Sequence, residues 1–143
     1  VKINLEDKSK ERVQQGILNK LSSTTVINKE EKFEGPLGIR GSSQVIPFGN
    51  EGNRICITHE VDFFHHPGGH KDAHYYHRFL IWDKDWNLKS ISKQFKFMDA
   101  MIEFNTGLAI KNGNFIITYG FQDNAAYALK MPVNLLDKLE WEE

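Results

Sequence analysis

Of the six histidines in this 143-residue chain, five fall in the thirteen residues His65-His66-Pro67-Gly68-Gly69-His70-Lys71-Asp72-Ala73-His74-Tyr75-Tyr76-His77. Imidazole is a common ligand of zinc and other transition metals, so the run invites a metal-binding reading. Its spacing matches no closed site, however, and Pro67 with Gly68-Gly69 marks a lid-like loop, so no metal site is expected. Four other constellations could carry chemistry. Arg40-Gly41-Ser42-Ser43-Gln44 sets a guanidinium beside two hydroxyls and a flexible glycine, a grouping that can meet an anion or a polyol. The plainer reading is a polar turn entering a strand. Thr58-His59-Glu60 ends an apolar run in which strand alternation puts Ile55, Ile57 and His59 on one face and Cys56, Thr58 and Glu60 on the other. His59 is then either a ligand group or a hydrogen-bonded core histidine. Glu103, between Ile102 and Phe104, could have its pKa raised for acid–base work, could grip sugar hydroxyls, or could bond backbone N–H groups. Asp123 closes Tyr119-Gly120-Phe121-Gln122-Asp123, where a carboxylate at a loop lip can bind hydroxyls or simply favour the turn.

The elements that would position these residues are mostly strands. Gln44 to Phe48, Arg54 to Val61, Tyr75 to Trp82 and Leu88 to Phe97 are β-branched or aromatic runs that make one four-stranded unit. A second unit runs Gly107 to Ile110, turns at Lys111-Asn112-Gly113-Asn114, continues Phe115 to Tyr119 and returns through Ala125 to Met131. Asn-Gly between two apolar runs is a strong hairpin signal because both central residues need positive φ. Units of this spacing predict an all-β fold of about two β-propeller blades. Before them, Val13, Ile17, Leu18 and Leu21 recur at helical spacing, predicting a short amphipathic helix within an N-terminal segment, 1–37, ahead of a carbohydrate domain over 38–143. A propeller closes with about four to eight blades. Two blades therefore predict a fragment of a longer protein, with completion by association or a small sandwich as the alternatives.

Composition narrows the partners. Eighteen Lys and Arg against nineteen Asp and Glu leave a formal charge of -1, with no basic block to track a phosphate backbone, so nucleic acid is not expected. There is no run of apolar residues near the ~20 of a membrane span, and the opening VKINLEDKSKER lacks a signal-like apolar segment. A single cysteine, Cys56, sits in an apolar run, which reads as packing and suits the cytoplasm. Aromatic residues beside polar ones suit a sugar site, and equally an all-β core.

Taken in order, the pieces resemble the C-terminal half of the β-mannoside phosphorylases and hydrolases, glycoside hydrolase family 130, which are five-bladed β-propellers. The matching stretches are Arg40 to Gln44, Ile57-Thr58-His59-Glu60, Tyr76 to Asp83 and Tyr119 to Asp123, within about residues 38 to 133. The resemblance implies that His59 stands in the place of a phosphate-binding histidine and Asp123 in that of a sugar-binding aspartate, both facing a central pocket. Glu60 occupies the place of the family's glycine, and Phe121-Gln122 that of two small residues. The family's proton-donating aspartate comes from an earlier blade, so no catalytic residue is assigned and enzyme activity is left open. Glu60, Tyr76-His77-Arg78 and Glu103 also resemble propeller-like domains associated with bacterial glycosyltransferases. The expectation is a carbohydrate-active domain in which Arg40, His59, Tyr76, Arg78, Glu103 and Asp123 line one pocket for a sugar or sugar phosphate. No cofactor is expected, and inorganic phosphate is the implied co-substrate. The rival is a non-catalytic glycan-binding or glycosyltransferase-associated module. The other implied partner is the remainder of a longer chain, or a second copy, completing the propeller.

Overall fold

The computed structural model describes residues 39–69 and 71–142. The N-terminal helix expected within 1–37 lies outside the described residues. What is described is nearly all β, in two antiparallel sheets. In the first, β1 (Arg40–Gly41) and β2 (Ile46–Phe48) both pair with β3 (Asn53–His65), which pairs with β4 (Lys71–Trp82), which pairs with β5 (Leu88–Ile91). The second holds β6 (Glu103–Lys111), β7 (Asn114–Phe121) and β8 (Ala125–Pro132) in chain order. A 3-10 helix, Val133–Lys138, follows.

The alternation expected for β3 is what separates the two cores. Ile55, Ile57 and, from the opposite strand, Phe79 meet Leu108, Phe115 and Ile117 of the second sheet and Leu136 of the 3-10 helix. Cys56, Leu80, Trp82 and Ile91 pack behind them, on the other face, with Ile39, Val45, Trp86 and Leu88. Residues such as Ile57 and Phe79 have no exposed surface, and each contributes about 1.5–3 kcal/mol by leaving water. Cys56 is part of this packing, and burial raises its thiol pKa to about 12. It is an inert apolar residue.

Both hairpins of the second sheet turn with two consecutive left-handed residues. Asn112 and Gly113 have φ of 51° and 72°, the geometry that the Asn-Gly pair predicts. Beyond β8 the chain returns to the first sheet. Lys93 N–H donates to Glu140 O (2.8 Å), Glu142 N–H donates to Ile91 O (2.9 Å), and Ser92 bridges Trp141, so the last residues cover the β5 edge.

Where the two sheets adjoin, Gln44 acts as a short substitute for a strand. Its Nε2 donates to Leu108 O (2.6 Å) and its Oε1 accepts from Leu108 N–H (3.3 Å). This amide pair locks the β1–β2 connection to β6.

Two expectations change. The His65–His77 stretch is not a long loop: β3 and β4 remain paired out to His65 and Lys71, as a two-stranded arm. Alternating aromatic and polar residues let both strands continue past the body of the sheet. The second unit has the three strands expected, but β6 starts at Glu103 rather than Gly107, with a bulge between Asn105 and Gly107. Among the described residues the sheets form no closed ring.

A Cβ at Gly107 would lie 2.7 Å from Thr118 Oγ1, a hydroxyl already bonded to Thr106 Oγ1 at 3.0 Å. Gly107→Ala should therefore cost about 1–3 kcal/mol through overpacking, read as a fall of several degrees in Tm. An unchanged Tm would contradict so close an approach of β6 to β7.

Candidate functional site

Register places three polar residues side by side on the face of the first sheet that meets the second. Arg40 is opposite His59, and His59 is opposite His77. His59 is only 4% exposed, and its Nδ1 shares a 2.8 Å hydrogen bond with Ser42 Oγ. Its ring stacks on Tyr75 (centroids 5.7 Å, 21°) and meets Phe104 of β6 edge-on (4.9 Å, 60°). Tyr75 and Phe104 stand at 72° to each other, 6.2 Å apart. The Arg40 guanidinium lies 5.8 Å over the Phe63 ring. The result is a cation, an imidazole and a hydroxyl behind a partly open aromatic wall, with Phe104 41% and Phe63 45% exposed. Burial, and then the Arg40 charge, lower the His59 pKa against a smaller opposing contact with the Gly41 backbone, so the ring favours its neutral form.

Deeper lies a second pair. Glu103 is fully buried, and its carboxylate accepts from three backbone N–H groups: Phe97 (2.6 Å), Met98 (2.8 Å) and Ala100 (2.9 Å). His77, also fully buried, stacks on Phe97 (4.3 Å) and stands 3.9 Å from the same carboxylate, with neither ring nitrogen in a hydrogen bond. Burial, reinforced by neighbouring His59, lowers its pKa to about 3.

The six residues expected in one pocket therefore separate. Arg40 and His59 come together. Glu103 lies behind them with both oxygens already bonded, the structural alternative named for it above. Tyr76 and Arg78 are on the opposite face of the first sheet, because Tyr76 is opposite Glu60 and Arg78 opposite Thr58. There Arg78 donates from Nε to Glu60 (2.8 Å) and from Nη1 to Ser92 O (2.9 Å) and Glu142 (2.6 Å), while Gln94 donates to the other Glu60 oxygen. Lys96 lies 5.2 Å over the Tyr76 ring. This is an ionic knot that ties the last residues to β4.

Asp123 is exposed in the β7–β8 turn, where Gln122 and Asp123 hold φ of 52° and 55°. Non-glycine residues pay about 1–2 kcal/mol each for that conformation. Gln122 is pinned there: its N–H donates to Ile102 O (2.9 Å) and its Oε1 accepts from Ile102 N–H (2.8 Å).

On the arm, His66 reaches Asp72 at 3.4 Å, and His74 packs edge-on to Phe64. Among the described residues, no group of three or more His, Cys, Asp or Glu side chains is placed to hold a metal. None of their helices is long and apolar enough to cross a membrane.

No protein-family model and no curated protein matches this chain. One solved structure is similar. It is a mannose phosphorylase from Leishmania mexicana in complex with phosphate ion, with a TM-score of 0.47 and 11% identity over 74% of this chain and 37% of that one. The present chain thus spans little more than a third of that protein, and the chemistry must be read from the side chains themselves.

Sequence reasoning missed the wall formed by Tyr75 and Phe104. A signal was present, since strand alternation sends Phe104 outward when Glu103 and Asn105 are buried.

His77 makes stability depend on pH. Below its ordinary pKa of 6.5, the unfolded chain binds a proton that the native chain refuses until about pH 3, so this residue lowers stability as pH falls through that window. Between pH 7 and 5 the loss from this group should be about 2 kcal/mol. In His77→Phe the loss over that interval should be smaller by that amount, measured by urea unfolding at both values. Equal losses in the two proteins would contradict a buried, neutral His77.

Proposed function

We propose that this chain is a carbohydrate-active domain whose two sheets are adjacent blades of a propeller, binding a sugar or sugar phosphate at Arg40, Ser42 and His59. The observation that carries the reading is the convergence, from β1, β3, β4 and β6, of a guanidinium, a hydroxyl-bonded imidazole and two aromatic rings on one face. Sugar sites combine rings against C–H faces with a few fixed polar groups for hydroxyls or an anion. Arg40 supplies the permanent charge, since His59 is largely neutral. Asp123, exposed in the turn that follows Phe121, the register partner of Glu103 on β6, is assigned to sugar hydroxyls at the rim. The amide pair between Gln44 and Leu108 supports the blade-like reading, because it joins the β1–β2 segment to the first strand of the next sheet.

A specific observation favours binding over catalysis by the described residues. Glu60 and Glu103, the buried carboxylates that could serve as acid or base, have both oxygens engaged in hydrogen bonds. In this proposal the described residues hold the ligand, and any proton donor comes from elsewhere.

Arg40→Gln should weaken hexose phosphate binding about 10- to 100-fold, the loss of one charge-assisted hydrogen bond, with Tm within a few degrees of the parent. Asp123→Ala should weaken binding less, because the residue is exposed. Calorimetric titration checks both. Parent-like affinity in the Arg40→Gln/Asp123→Ala double variant would overturn the assignment.

A further inference from the structure

We infer that the outer edge of β8 docks a second copy of this chain, the two β8 strands pairing antiparallel about a two-fold axis at Ala128. Two three-stranded sheets then join into one. The edge lies apart from the proposed ligand site, since β7 stands between β8 and β6. The pairing lengthens a sheet and adds no blade, so it is not the completion of a ring.

An open strand edge invites pairing, and proteins blunt such edges with charges, prolines, bulges or a covering segment. The first sheet has such cover, residues 140–142 lying along β5. Among the described residues no strand pairs with the outer side of β8, which keeps unbroken register with β7 and carries no charge or proline over 125–129. What fits this edge is the same edge reversed. Ala125, Ala126, Tyr127 and Ala128 are exposed, whereas Leu129 and Met131 are half-buried against the core. An antiparallel copy sets the exposed half of each strand against the supported half of the other. With Ala128 opposite itself, Tyr127 of one copy faces Leu129 of the other, and Ala125 faces Met131. The Tyr127 ring, held against Tyr119 and Phe121 yet 44% exposed, thereby gains an aliphatic neighbour, a pairing that stabilises adjacent strands. Charge selects the same arrangement. Lys130, the one charged residue of β8, falls opposite Ala126. The two lysines then stand four residues, roughly 13 Å, apart along the strands, beyond the ~8 Å reach of a charge at physiological salt. A parallel copy in register would set them side by side. An eight-residue edge buries less than the roughly 1,200 Å² at which stable interfaces begin, so the dimer is weak and reversible, with a Kd on the order of tens of micromolar.

Analytical ultracentrifugation of the full chain from micromolar to millimolar concentration tests this with two substitutions on one face of β8. Ala128→Glu opposes two carboxylates at the axis and should weaken the dimer about tenfold. Ala126→Glu meets Lys130 of the other copy and should tighten it about threefold. Both positions are exposed, and thermal melts of each variant exclude unfolding as the cause. Hydrogen exchange identifies what covers the edge: protection of the β8 amides should rise with protein concentration. A parent that stays monomeric throughout overturns the inference, as does equal weakening by the two variants. Strong protection of β8 that is independent of concentration also overturns it, because a segment of the same chain would then cover the edge. No ligand enters these measurements, so the carbohydrate reading and this one stand or fall separately.

Discussion

A buried carboxylate needs donors, and the way Glu103 finds them organises the join between the two sheets. A carboxylate moved out of water without partners would cost several kcal/mol. Here three backbone N–H groups from the segment 97–100 converge on it, and each charge-assisted bond of this kind is among the stronger ones available to a protein. The bonds fix the chain just before β6. They also set its first residues in register, so that Glu103 points inward and Phe104 must point out. The same carboxylate, 3.9 Å from His77, sits at the contact between β4 and β6.

Further along β6, Gln44 performs a similar service with its side-chain amide, pairing with both backbone groups of Leu108. Between them these two anchors hold β6 against the β1–β2 segment and β4. Arg40, Ser42, His59, Tyr75 and Phe104 are thereby drawn from separate elements onto one face. The exposed aromatic rings thus rest on a rigid frame. On the far side of the first sheet, the Arg78 knot with Glu60 and Glu142 and the pairing of the last residues to β5 close the edge.

What the sequence made legible were features set by near neighbours. The Asn112-Gly113 turn follows from the φ values that only a few residues accept, and the division of Ile55, Ile57 and His59 from Cys56 and Thr58 follows from the two-residue period of a strand. The all-β class followed from the same patterns. What stayed hidden depends on residues far apart in the chain. Glu103 reads alike as ligand group or anchor until the N–H groups of 97–100 are in place. Tyr76 and Arg78 were expected in the site through the resemblance carried by Tyr76-His77-Arg78, although the same alternation that served for β3 puts them on the opposite face. The paired arm out to His65 and Lys71 was masked by Pro67 and Gly68-Gly69, which mark only its tip.

The central claim is that one face of the first sheet, at His59, is where a sugar or sugar phosphate binds. Nuclear magnetic resonance of the isotope-labelled protein during titration with hexose phosphates tests it directly. The account predicts saturable shifts at Arg40, Ser42, His59, Tyr75 and Phe104, with Tyr76 and Arg78 unmoved. Shifts confined to the Tyr76–Arg78 face, or none at any residue, would contradict it.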